Sequence, residues 1–186
     1  MREYQGLTND AIVVPAGRFP KQKRWGGECW NFRPWRGRMY GYVRVNSRAD
    51  PAPVVRRLNS GAVAEYVDDV TVVWVAHGGA INETYVLGWF EHSKVYGEFL
   101  DRPDAGRIAR EVHSTGIDIE VDQEELRYFV TCKEEDARLL SESERAFRVP
   151  TGKGWMASRS LLFYPDGGAE HEGLKRRLLV YRLYNK

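Results

Sequence analysis

The sequence predicts an α+β fold built on a small curved antiparallel sheet or a small β-barrel, with helices at its periphery. Short β-branched and aromatic segments outnumber amphipathic ones, and strands and helices do not alternate along the chain. The 186 residues, of which 42% are hydrophobic, suit a single domain over residues 1–186 with a sizeable core. No apolar run approaches the roughly 20 residues that span a bilayer, so no membrane association is expected.

The centre of the predicted sheet is a hairpin. Residues 69–77 are β-branched around Trp74 and form the strongest predicted strand, expected to be buried on both faces. Residues 84–92 are its hairpin partner, and residues 93–99 continue the second strand with a bulge near Gly88. Further strands are predicted over residues 10–14, 39–45, 117–121, 126–132 and 160–165.

Helices are predicted by caps and by apolar spacing. Asp50-Pro51 predicts the start of a short helix that ends at Gly61, because Asp caps helices, Pro suits the first turn and Gly follows the last. Residues 172–186 have helical apolar spacing, with Lys175, Arg176 and Arg177 on the solvated side. Weaker helical signals cover residues 101–115 and 133–140, and a capping box at Ser141-x-x-Glu144.

Charge is distributed unevenly, although the net charge is only +2. Residues 1–60 carry +8, residues 61–150 carry −10 and residues 151–186 carry +4. The basic N-terminal part contains an aromatic-rich segment, residues 17–48, in which Trp25, Trp30 and Trp35 lie among Arg and Lys. If the two basic ends meet in the fold, they form a positive face that attracts phosphate backbones.

Catalytic motifs are missing from the sequence. It has no G-x-S-x-G elbow and no H-E-x-x-H, and TGKGW (151–155) lacks the full phosphate-loop pattern. Cys29 and Cys132 are too far apart for metal-ligand spacing, and without an export signal we expect reduced thiols and a cytoplasmic protein. We therefore predict a binding module with no catalytic residue, no metal and no cofactor. The enzyme alternative is a hydrolase that uses His77 with Asp68 or Asp69.

Three segments together resemble reader domains of the PUA superfamily, which includes EVE, YTH, ASCH and SRA-type domains. They are residues 69–99 (DVTVVWVAHGGAINETYVLGWFEHSKVYGEF), ECWNF (28–32) followed by YGYV (40–43), and FRVPTGKGW (147–155). Such readers occur as accessory domains of modification-dependent restriction systems. The resemblance implies a small barrel and a pocket that holds a flipped, modified base between aromatic rings. It implies that the base pocket contains Trp30, Asn31, Phe32, Trp74, Trp89 and Tyr96.

The sequence therefore predicts a nucleic-acid reader whose partner is double-stranded DNA with a methylated or hydroxymethylated base. The nuclease of such a system would lie on a fused or associated domain. If Trp89 reads the base, its replacement by Ala should abolish selective binding and leave the fold intact. The alternative is a protein-interaction or regulatory domain with an aromatic-rich interface.

In the nucleic-acid reader, the residues expected to contact phosphate groups are Arg33, Arg36, Arg38, Lys94, Lys153 and Arg159.

Overall fold

The computed structural model describes residues 27–43, 51–77, 83–114, 126–153, 155 and 163–185. These ranges contain five strands and three α-helices, which confirms the α+β class. None of these helices is long and apolar enough to cross a bilayer. In chain order the elements are β1 (Arg38–Gly41), α1 (Ala52–Leu58), β2 (Tyr66–His77), β3 (Thr84–Asp101), α2 (Ala105–Ser114), β4 (Arg127–Lys133), β5 (Ala137–Leu139) and α3 (Ala169–Tyr184).

The five strands form one antiparallel sheet with the spatial order β1-β4-β3-β2. The long strand β3 pairs with β2 over most of its length, with β5 around Trp89 and with β4 from Lys94 onward. Two neighbours thus share one edge of β3, and the sheet curls into a half-barrel. The expected curved antiparallel sheet is confirmed.

Paired bulges interrupt β2 and β3 at the same level. Between Val67 and Val70, β2 has one residue more than its partner, and β3 has one more between Phe90 and Ser93. Asp69 and His92 lie in these bulges and both have positive φ, 58° and 46°. A third irregularity lies opposite Trp74, beside Gly88, as expected. Bulges bend and twist a ladder, so they account for part of the curl.

Three clusters of buried side chains hold the helices to the sheet. The main core lies against the sheet, and α1 packs on it through Val54 and Val55. α3 packs through Leu178 and Tyr181 against a second cluster around Trp89. A third cluster joins α2 to the N-terminal segment: Trp30, Ile108, Val112 and Leu126.

Several sequence predictions differ from the structure in detail. β2 is not buried on both faces: in the described sheet it pairs only with β3, and Asp69 and Thr71 are exposed. Residues 133–140 form one 3₁₀ turn followed by β5, and residues 163–165 lie outside any strand. α1 begins at Ala52 with Pro51 as its N-cap, whereas α3 begins already at Ala169. The strands predicted at 10–14 and 117–121 lie outside the described residues.

The remaining predictions are close to the observed elements. The hairpin of β2 and β3, the strand β4 and the helix α2 all occur where the sequence placed them. The capping box is present: the carboxylate of Glu144 accepts hydrogen bonds from the backbone N–H and the hydroxyl of Ser141 at 2.7 Å each. Lys175, Arg176 and Arg177 are exposed on α3, as expected.

Candidate functional site

The six residues of the expected base pocket do not line one cavity. Trp30 is 0% exposed in the cluster with α2, and Trp89 is 2% exposed in the cluster with α3. Phe32 lies in the main core, where its ring contacts those of Trp74 and Phe90 edge to face. These rings stabilise the fold because they fill three separate parts of its interior.

The side chain of Asn31 also forms hydrogen bonds within the fold. Its side-chain amide donates to the carbonyl oxygen of Tyr42 at 2.9 Å, and its amide oxygen accepts from the Tyr42 N–H at 2.7 Å. The residue is 4% exposed. Both ends of the amide thus tie the N-terminal segment to Tyr42, the residue after β1.

The expected protein interface has two buried rings in its described part. Trp30 and Phe32 lie in the core, and the half-buried ring of Trp35 lies near the guanidinium groups of Arg107 and Arg36, with centroid distances of 4.7 and 5.6 Å. Of the aromatic rings in residues 27–38, only Trp35 is therefore partly accessible to a partner.

The expected phosphate contacts fall into different environments. Arg33 is half-buried and forms an ion pair with Glu111. Arg36 is exposed at the tip of a two-residue turn closed by hydrogen bonds of 2.9 and 3.1 Å between Trp35 and Arg38. Arg36 and Gly37 have φ of 50° and 74°, the signs of a type I′ turn. Arg38 and Lys153 are exposed, and Arg159 lies outside the described residues.

A different aromatic feature crosses the whole sheet. β1, β4, β3 and β2 each contribute one tyrosine to it, and we call this set the tyrosine row: Tyr40, Tyr128, Tyr96 and Tyr66, in spatial order. Successive ring centroids are 4.9, 6.1 and 6.1 Å apart, with interplanar angles of 77°, 87° and 61°. Only Tyr96 of these was among the expected site residues.

The tyrosine row is partly embedded in the protein. Tyr96 packs against the main core, and Tyr40 is buried. Exposure increases along the row from 8% at Tyr40 to 40% at Tyr66, with Tyr96 and Tyr128 half-buried. The β2 end is therefore the most accessible to a ligand.

Cations lie at both ends of the row. At the β2 end, the Lys94 Nζ atom is 3.8 Å from the ring centroid of Tyr66 and 3.5 Å from the Asp68 carboxylate. At the β1 end, the buried Arg102 guanidinium lies 5.4 Å from the ring centroid of Tyr40. The exposed Arg38 lies two residues before Tyr40 on the same strand. The row thus combines flat apolar rings with positive charge.

The hydroxyl group of Tyr128 stays protonated at neutral pH. Burial raises the pKa of Tyr128, and Tyr96 and Tyr40 raise it further, against a smaller opposing effect of Arg38 and Arg102. A protonated phenol both donates and accepts a hydrogen bond, as the edge of a nucleobase requires. The row can therefore contact a planar heterocycle through ring faces and through hydroxyls.

The hydrolase alternative finds no support in the geometry. His77 and Asp69 are eight residues apart on β2, so roughly 26 Å of extended backbone separates them. Asp69 instead binds His92, with 2.6 Å between Oδ1 and Nδ1. This hydrogen bond and the charge of Asp69 raise the pKa of His92. In the described ranges no three His, Cys, Asp or Glu side chains are grouped to hold a metal ion.

Sequence reasoning missed three of the four tyrosines. Tyr40, Tyr66, Tyr96 and Tyr128 come from four segments far apart in the chain, and the strand order alone brings them together. The available signal was at least one tyrosine in each of β1, β2, β3 and β4, which does not reveal which strands pair. No protein-family model, curated protein or solved structure matches this chain.

Proposed function

We propose that this chain is a nucleic-acid-binding module in which the tyrosine row receives unpaired bases. The observation that carries the proposal is the continuity of the row across four strands, with Lys94 at one end and Arg38 at the other. Aromatic side chains on an open sheet are a common platform for base stacking, which contributes about 1–3 kcal/mol per base. Arg36 and Arg38 supply phosphate contacts beside the row.

The proposed ligand is a base flipped out of double-stranded DNA, methylated or hydroxymethylated at cytosine. The likeness of residues 69–99 to PUA-superfamily readers supports this choice, and a PUA-like barrel within residues 1–186 is the fold that the proposal implies. Flipping costs a few kcal/mol, which stacking on Tyr66 and Tyr96 and the phosphate contacts must offset. DNA cleavage in such a system belongs to a fused or associated nuclease domain.

The test is a fluorescence anisotropy titration at two salt concentrations. The probes are matched duplexes with plain cytosine, 5-methylcytosine or 5-hydroxymethylcytosine, and the single strand of the same sequence. The proposal expects tightest binding to a modified duplex and weaker binding at the higher salt, because phosphate contacts release counterions. Tighter binding to the single strand than to any duplex would support base stacking on the tyrosine row and would contradict base flipping. No binding at low salt would overturn the proposal.

Two variants separate the row from the rest of the surface. Tyr66→Ala removes the most exposed ring of the row and should weaken binding by about tenfold, within the range of one lost stacking contact. Tyr184→Ala removes a tyrosine that is 84% exposed on α3, away from the row, and should leave the dissociation constant unchanged. Equal losses in both variants would contradict a specific role for the row.

A further inference from the structure

The outer side of α3 carries an exposed apolar patch. Leu179 and Val180 are each 51% exposed, Leu183 is 58% exposed and Tyr184 is 84% exposed. Their spacing of three and four residues places them on one side of the helix. Leu174 and Leu178 on the opposite side already attach α3 to the protein. A surface helix normally presents charged and polar residues at such positions.

A groove runs beside this patch. It has a volume of about 490 Å³ and is lined by Phe147, Arg176, Arg177, Val180, Tyr181 and Tyr184. The aromatic rings of Phe147 and Tyr181, whose centroids are 5.1 Å apart, form its apolar floor. Arg176 and Arg177 are exposed, and neither forms an ion pair with another residue in the described ranges. An apolar floor with two available guanidinium groups suits an acidic, amphipathic ligand.

We propose that the groove and patch bind an acidic amphipathic helix of another protein. The apolar side of that helix would lie on Val180, Leu183 and Tyr184, and its carboxylates would pair with Arg176 and Arg177. This site is separate from the tyrosine row, so the inference goes beyond nucleic-acid binding and does not depend on it.

Charge argues against a parallel second copy of this chain as the occupant. In a parallel pair of α3 helices, the exposed Arg176 and Arg177 would face themselves. Such a pair opposes like charges, whereas an acidic partner does not.

The test is a titration of a labelled synthetic helical peptide with Leu at core positions and Glu on the flanks, followed by fluorescence anisotropy. We expect saturable binding that weakens with salt and becomes at least about tenfold weaker in the double variant Arg176→Glu/Arg177→Glu. The matched control is Arg56→Glu, which changes an exposed arginine on α1 and should leave peptide affinity unchanged. Val180→Asp should also weaken binding if the patch takes part.

Other outcomes would overturn the proposal. They are a missing peptide signal, equal binding by the charge-reversed variant, or stronger binding of a Lys-flanked peptide. Sedimentation that shows a dimer lost in Val180→Asp would assign the patch to a second copy. Binding to anionic vesicles in place of the peptide would assign it to a membrane surface. Displacement of the peptide by the best-binding oligonucleotide would show that the groove on α3 and the tyrosine row are not separate sites.

Discussion

The most informative perturbation of the fold is Asp104→Asn. Asp104 and Arg102 form an ion pair whose side chains are 0% and 1% exposed, with 3.0 Å between Oδ1 and Nε. The Arg102 guanidinium also donates to the carbonyl oxygens of Tyr40 at 2.7 Å and Trp30 at 3.2 Å. This one side chain therefore connects the start of α2 with β1 and the N-terminal segment.

The substitution by Asn keeps the shape of the side chain and removes its charge. A buried guanidinium would remain without a counter-ion, and breaking a buried pair in this way costs about 3–5 kcal/mol. The second partner of Asp104, Arg107, adds little because its side chain is 34% exposed. The control Asp166→Asn breaks a pair with Arg57 whose side chains are 62% and 53% exposed, and should cost less than about 1 kcal/mol.

The measurement is the free energy of unfolding from urea denaturation, followed by circular dichroism. A loss below about 1 kcal/mol in Asp104→Asn, equal to the exposed control, would refute the account of a buried network. The pH dependence gives a second check. Burial acts to raise the pKa of Asp104, but Arg102 and Arg107 outweigh it and lower that pKa below 3.8. Its contribution is therefore present above pH 3.8, is lost as the pH falls through the lowered pKa, and should be missing in the variant.

Three further outcomes follow from the packing. Trp89→Ala should lower the free energy of unfolding by about 3–5 kcal/mol, because Trp89 is a core residue; an unchanged stability would contradict its burial. Gly88→Ala should lower the melting temperature, since a Cβ atom would lie 2.1 Å from the Arg138 carbonyl oxygen, whereas Gly173→Ala on α3 meets nothing within 4 Å and should not destabilise. Burial raises the pKa of Cys132 to about 12, so a thiol reagent should modify it only after unfolding; rapid modification of the native protein would show that the sheet opens around β4.

The sequence predicted the secondary structure better than the site, for a physical reason. The β-branched alternation in β2 and β3 and the capping box near Ser141 are signals contained within one segment of the chain. The local structure that each of them predicts is present in the folded protein. The burial of β2 was overestimated because its hydrophobic content does not reveal that only one described strand pairs with it.

The site depended on information that is not local. Large aromatic rings such as those of Trp30 and Trp89 are typical of ligand-binding pockets, but they also fill the cores of small proteins. In the structure both rings are buried and pack against other core residues. The bulges at Asp69 and His92 shift the alternation of side chains along β2 and β3. The sheet face on which Lys94 and Tyr96 lie therefore cannot be predicted from the number of residues that separate them from Trp89. Their neighbours in the tyrosine row come from other strands.

The central claim is that nucleic acid contacts the tyrosine row. The most direct measurement is photocrosslinking to the best-binding oligonucleotide, substituted with 5-iodouracil next to the cytosine, followed by mass spectrometry of the crosslinked peptides. We expect crosslinks at Tyr66 and Tyr96 that disappear in Tyr66→Ala and Tyr96→Ala, respectively. Crosslinks confined to α3, for example at Tyr184, would place the nucleic acid on the other surface and contradict the claim.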